Sequence, residues 1–302
     1  MRFLVRLTSK FRRDLLANSP LVTASRRCGF HSTGPLSINS SQNESKTVDA
    51  NEIQLFNNLS DKWWHENGEF KALHALNKLR VPFIRDGLIN SGKISINTAT
   101  SGTPLTGMKI IDIGCGGGIL SEPLARLGAD IVGLDASQES ISSAQVHASR
   151  MTNPPQYVCE TIEDHAKSHS NVYDAVVLSE VLEHIQSKDV CLQLCCSMLK
   201  ARGSIFITTI NQTVLSWLLV IVAAERLIQF IPPDTHHWDK FITPIELQNK
   251  LRNSGCSTRL IHGMRYDILC NRWHWTTDTS VNYAIHAVKQ SDETIESMNS
   301  DK

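Results

Sequence analysis

Asp112-Ile113-Gly114-Cys115-Gly116-Gly117-Gly118 joins a short apolar run to a helical one, and Asp135 closes the next apolar run. Glycines at such a turn let a ligand lie against bare backbone, and a helix starting there offers unpaired N–H groups. A carboxylate at the end of the following strand can accept both hydroxyls of a ribose. Gly114, Gly116 and Asp135 are therefore expected to hold a nucleoside, the alternative being a purely structural glycine turn. A dinucleotide loop would carry glycine at 119, where this chain has Ile119. Glu180, Glu183 and His184 form a second group. If a helical turn starts at Glu180, all three share one face at the mouth of the same cleft. Two carboxylates and an imidazole can bind a divalent cation that also takes water and a substrate oxygen. Without metal, His184 is the natural general base near neutral pH. A structural turn of the same residues is a third reading.

Those residues need a scaffold that brings strand ends together. Apolar runs at Lys109–Ile113, Ile131–Leu134, Tyr157–Cys159, Asp174–Leu178 and Ser204–Ile210 read as strands. Helical patterns at Leu120–Leu127, Gln138–Arg150 and Val190–Leu199 separate them. This alternation predicts an α/β fold: a mostly parallel sheet covered by helices on both faces, with ligand loops at the carboxyl ends of the strands. Thr258–Ile261 and Tyr283–Val288 add antiparallel strands at its edge. Ahead of the sheet, Glu52 to Leu79 reads as helical and 86–107, with four glycines and Pro104, as a loop. The domain organisation is thus a helical cap and loop at 41–107, the sheet domain at 108–290 and a polar tail at 291–302.

Composition bounds the answer. Of 302 residues, 41% are hydrophobic and 20% charged, which excludes wholesale disorder and a polytopic membrane protein. Zero net charge argues against a nucleic-acid partner, which needs an excess of Lys and Arg. Residues 1–40 carry seven bases against Asp14 alone, with frequent Ser and Thr and apolar residues at helical spacing. That is the composition of a mitochondrial transit peptide, with Arg27-Cys28-Gly29-Phe30 as the processing region. The rest of the chain is acidic, with 23 bases against 29 acids. Eight cysteines without C-x-x-C pairing, three of them at helical spacing in 191–196, read as buried free thiols.

The glycine loop resembles motif I of class I S-adenosylmethionine-dependent methyltransferases. Trp63-Trp64, Gly68-Glu69-Phe70, Leu76–Arg80, Asp112–Leu120, Gly133–Asp135, Glu180–His184 and Thr235–Phe241 together resemble the ubiquinone-biosynthesis O-methyltransferases. The resemblance runs from about Glu52 to Val288. It implies a Rossmann-like, seven-stranded sheet and twofold methylation of polyprenylated catechols. It further implies that Arg80, Gly114, Asp135 and Ser179 contact adenosylmethionine, and that Glu180, Glu183 and His184 bind Mg²⁺. A guanidinium at Arg80 suits a methionine carboxylate, which it can grip with paired hydrogen bonds. Ser179 is expected to act through its backbone. With His184 a metal ligand, the candidate bases are His236 and His237. The rivals are a C-methyltransferase acting on the quinone ring and a non-catalytic membrane scaffold.

Val214–Ala224 is apolar apart from Ser216, and Glu225 and Arg226 follow. Eleven such residues fall short of the roughly 20 that cross a bilayer. The segment 213–231 is either a core helix or one lying in the membrane interface. A substrate with a long isoprenoid tail favours the second. The expected setting is therefore the matrix side of the inner mitochondrial membrane, within a multi-subunit ubiquinone-biosynthesis complex.

Overall fold

The computed structural model describes residues 47, 53, 54 and 57 and the stretches 60–213 and 241–291. The basic leader at 1–40, the apolar segment from 214 onward, His236, His237 and the tail from 292 lie outside the described residues.

Alternation along each strand makes the sheet two-faced. From β1 (Lys109–Ile113), Ile111 and Ile113 join Val176 and Leu178 of β4 (Tyr173–Ser179) and Ile205 and Ile207 of β5 (Leu199–Ile210) in one core. Ile110, Ala175, Val177 and Phe206 enter the core on the other face. With β2 (Asp130–Asp135) and β3 (Gln156–Cys159), the parallel part runs β3-β2-β1-β4-β5. Antiparallel strands continue it: β8 (Asn282–Lys289) pairs with β5, β6 (Cys256–Asp267) with β8, and β7 (Arg272–Thr276) with β6. Among the described residues the sheet has eight strands, one more than the seven expected. Met264 is the last β6 residue paired with β8, opposite Asn282; β6 runs on to Asp267 and the chain folds back as β7.

Helices α1 (Lys71–Asn90) and α3 (Ser121–Arg126) pack on one core, with α2 (Ile96–Ala99) beside them. Helices α5 (Ile162–Ala166), α6 (Lys188–Met198) and α7 (Pro244–Asn253) pack on the other. Helix α4 (Gln138–Ala148) covers the β2–β3 end. Ser95, Ser137, Thr161 and Thr243 start α2, α4, α5 and α7 by accepting a backbone N–H three residues on. The loop expected from residue 86 is instead the last turn of α1, which continues through Pro82 and Gly87 to Asn90. A Cβ at Gly87 would stand 2.5 Å from the Phe206 ring, so that glycine lets the helix lie close on β5. Cys191, Cys195 and Cys196 of α6 are free and buried.

His286 in β8 is 5% exposed, stacks on Phe206 at 4.4 Å and shares a hydrogen bond with Ser204 Oγ at 3.1 Å. Burial, with Arg259 nearby, pushes its pKa down to about 4. A folded-state value below the unfolded one gives stability that is present above about pH 6.5 and is lost as pH falls through 4. Urea denaturation at pH 7, 5.5 and 4 should show wild type losing about 3 kcal/mol more than His286→Gln across that window.

Candidate active site

The chain leaves β1 through Gly114 (φ +68°) and Gly116 (φ +53°), both in the left-handed region that side chains avoid. A Cβ at either would come 2.6 Å from a neighbour, Val181 Cγ2 or Trp63 Cη2. The Gly116 N–H donates to Asp135 Oδ2 and the Ser137 N–H to Oδ1, both at 2.8 Å. Burial raises the Asp135 pKa, and those N–H groups oppose the shift. Loop and acid therefore form one unit, with the carboxylate fixed beside the backbone.

Arg80 reaches the same place from α1. It is 4% exposed, donating from Nε to Asn77 Oδ1 at 2.7 Å, from NH1 to Ser179 Oγ at 2.8 Å and from NH2 to the Leu73 carbonyl at 3.4 Å. A guanidinium has five donors, so two remain for a ligand. Burial lowers its pKa to about 10 against the opposing pull of Asp112 and Glu180, so it stays cationic. Asp112 is itself buried and accepts from Ser121 Oγ at 2.6 Å; burial lifts its pKa to about 6.

The Glu180–His184 stretch departs from the expected helical turn. The Glu180 N–H donates to the Thr208 carbonyl at 2.9 Å, which extends the β4–β5 ladder by one residue and keeps Glu180 out of any helix. Its φ is +59°, a costly conformation for a residue with a side chain, and a 3₁₀ turn over Leu182–His184 follows. Glu180 and His184 line the cavity, whereas Glu183 is buried behind them and accepts from Thr209 Oγ1 at 2.9 Å. The three do not share one α-helical face. Among the described residues, no three His, Cys, Asp or Glu side chains are gathered to hold a metal ion. What the turn does create is a pair of buried carboxyl groups, Glu180 and Glu183, set close enough to interact. Glu180 Oε1 is buried without a hydrogen-bond partner. Burial, and then Glu183, raise the Glu180 pKa to about 7.

One cavity of about 240 Å³ joins these parts, lined by Glu160, Asp135, Gly114, Ser179, Glu180 and Arg80 among others. It crosses the ends of β3, β2, β1 and β4, three inter-strand steps or about 14 Å. That length suits an elongated ligand with a nucleoside at one end and an amino acid at the other. The cap closes over it. Trp63 lies on Gly116 and Gly117, stacks on Phe70 at 3.8 Å and donates to Ser140 Oγ at 3.2 Å. Trp64 donates to the Gly117 carbonyl at 2.9 Å, and Asn77 to the Ile119 carbonyl at 2.8 Å. Of the residues singled out in the sequence, Arg80, Gly114, Gly116, Asp135, Ser179, Glu180 and His184 line this one cavity. Trp63, Asp112, Asn77 and Glu160 were given no role by residue type. The adjacent Trp63-Trp64 was the available signal for a cap seated on the loop.

Residues 94–260 match the methyltransferase-domain family. The fold is shared with a magnesium protoporphyrin IX methyltransferase from Synechocystis, at a TM-score of 0.56 and 20% identity over 79% of this chain and 98% of that one. The chain is an S-adenosylmethionine-dependent methyltransferase. A mitochondrial ubiquinone biosynthesis O-methyltransferase from Rattus norvegicus is 46% identical over 248 residues, 81% of this chain and 71% of the relative. Its namesake from Pelagibacter ubique is 37% identical over 246 residues, 80% of this chain and 99% of the relative. The protein belongs to the ubiquinone biosynthesis O-methyltransferases. No described helix is long and apolar enough to cross a membrane.

Proposed function

We propose that this enzyme moves the methyl group of adenosylmethionine to catechol hydroxyls of polyprenylated ubiquinone precursors, with Mg²⁺ bound from the cavity by Glu180 and His184 and with Glu183, expected as a third ligand, adding its carboxylate from behind them. The observation that carries the metal is the unpartnered, buried Glu180 Oε1 next to a second carboxylate. Hard oxygen donors suit Mg²⁺, which takes one or two carboxylates and leaves positions to substrate and water. When bound, Mg²⁺ would lower the pKa of a catechol hydroxyl from near 10 and so ease its deprotonation.

The residues of the chain do the positioning. Asp135 and the Gly114–Gly116 backbone hold the ribose, and the two spare donors of Arg80 grip the methionine carboxylate. The Ser179 hydroxyl is engaged by Arg80 and by Thr208 Oγ1 at 2.8 Å, which leaves its backbone for the donor. Trp63 excludes water from the glycine loop. An O–C bond forms as the S–C bond breaks, the sulfonium becomes a thioether, and the phenolic proton passes to a base. With His184 assigned to the metal, His236 or His237 takes that proton; both lie outside the described residues. The enzyme would work from the matrix side of the inner membrane, in a complex with other enzymes of the pathway.

The test is methylation of a short-chain catechol with Mg²⁺, then with EDTA, then with Mg²⁺ restored. Activity should fall at least about tenfold on chelation and return on restoration. Turnover indifferent to EDTA would remove the metal from the reading and leave the methyl transfer in place.

A further inference from the structure

Of the seven large hydrophobic side chains exposed among the described residues, four, Leu260, Ile268, Leu269 and Trp275, belong to the β6–β7 hairpin. Its turn, Ile268–Asn271, carries Ile268 at 55% and Leu269 at 97% exposure, and Trp275 on the returning strand is 41% exposed. The tip is built rather than loose. Asp267 Oδ1 accepts from the N–H groups of Leu269 at 2.9 Å and Cys270 at 3.2 Å, and Tyr266 donates to Asn271 Oδ1 at 2.7 Å. Trp273 ties the hairpin to α1 through the Ala72 carbonyl at 2.9 Å. Side chains at the tip are thereby presented outward by a fixed turn.

The charges on the hairpin are mostly of one sign. Between Cys256 and Thr276 stand Arg259, Arg265 and Arg272 against Asp267 alone, and that carboxylate is already engaged by the turn. This cationic patch stands out on a chain whose sequence beyond residue 40 is net acidic. Arginines flanking exposed apolar and Trp side chains form the pattern of a protein surface seated at a bilayer interface, with anionic headgroups meeting the cations.

The register fixes where the tip lies. β8 runs antiparallel to β5, so its first residue, Asn282, pairs with Ile210 at the carboxyl edge of the parallel strands. β6 passes that edge at Met264 and continues through Arg265, Tyr266 and Asp267, about 10 Å further. The tip therefore projects from the same edge that bears the glycine loop and Glu180. Thr213 and Phe241, which flank the stretch 214–240 that opens with the apolar run Val214–Ala224, belong to this edge too: Thr213 Oγ1 donates to the Ser280 carbonyl, and the Tyr283 hydroxyl donates to the carbonyl of Ile242, the residue after Phe241.

We propose that the β6–β7 hairpin is a membrane-docking element in which Ile268 and Leu269 enter an anionic bilayer and Arg265 and Arg272 meet its headgroups, turning the cavity mouth toward the lipid. It rests on the polyprenyl-substrate reading for its purpose, though not for its evidence. The test is flotation of the full chain with vesicles of phosphatidylcholine alone or with one-fifth cardiolipin. Ile268→Ser/Leu269→Ser should weaken binding to the anionic vesicles about tenfold or more, and Arg265→Gln/Arg272→Gln should remove most of the preference for cardiolipin. Both variants should bind adenosylmethionine and methylate a water-soluble short-chain catechol like wild type, which reports on the methyl-transfer reading separately. Flotation of the Ser variant equal to wild type would overturn the hairpin's role and place all docking elsewhere. Brominated lipid should quench Leu269→Trp fluorescence more than wild type; equal quenching would also overturn the proposal.

Discussion

Replacing Arg80 with Ala is expected to weaken adenosylmethionine binding by about 100-fold, near 3 kcal/mol, measured by calorimetry on the substrate-free enzyme. Two effects add. The variant loses a charge-assisted, bidentate grip on the methionine carboxylate, and it leaves Asn77 Oδ1 and Ser179 Oγ without their donor inside the protein. Arg80→Lys separates the two. A lysine keeps the positive charge near Asp112 and Glu180 but cannot donate to Asn77, Ser179 and a ligand in the planar fork that Arg80 uses. It should recover only part of the affinity, with methylation at saturating donor close to wild type. If Arg80→Lys bound the donor as tightly as wild type, charge alone would explain the residue and the bidentate reading would fail.

Glu180→Gln should lower methylation at saturating adenosylmethionine by about 100-fold or more while changing donor affinity little. The same substitution should make the metal-free protein more stable above neutral pH. The Glu180 carboxyl has its folded-state pKa raised to about 7 by burial and by Glu183, above the ordinary 4.5. A raised pKa contributes stability that is complete below 4.5 and is lost as pH rises through 7. In EDTA, wild type should therefore lose thermal stability between pH 5 and 8 relative to Glu180→Gln, followed by scanning fluorimetry. Mg²⁺ added at pH 8 should raise the melting temperature of wild type and leave the variant unmoved, because a cation that binds only the folded state stabilises it. An equal rise in both proteins would place the cation elsewhere.

The donor half of the site was legible because its chemistry is local. Asp112–Gly118 and Asp135 announce a turn, a close backbone approach and a ribose acceptor by residue type and spacing, and the structure brings them within one hydrogen bond. The Glu180 turn was not legible in the same way. Glu-Val-Leu-Glu-His reads as helix by pattern, whereas in the fold the Glu180 N–H makes a long-range bond to Thr208 on β5 and the residue sits in the left-handed region. Tertiary context overrode local pattern again at α1, where Pro82 and Gly87 suggest an ending that contacts with Phe206 make unnecessary. β7 was missed because five residues, Arg272–Thr276, are too short to show much alternation; Asp267 and Asn271 bracketing a turn were the clue.

The Trp273–Ala72 bond joins residues 201 positions apart, and β8 inserts between β5 and β6 rather than following in sequence. Loops of that length must close before their contacts contribute, so such a topology folds slowly compared with one built from neighbours. Helix α1, which carries Arg80, contacts β7 more than any other described element, so its packing is complete only with the last third of the chain in place. Until then the Ala72 carbonyl lacks its Trp273 donor, and a chain ending before β7 would keep the glycine loop yet lack one of the anchors of its cap.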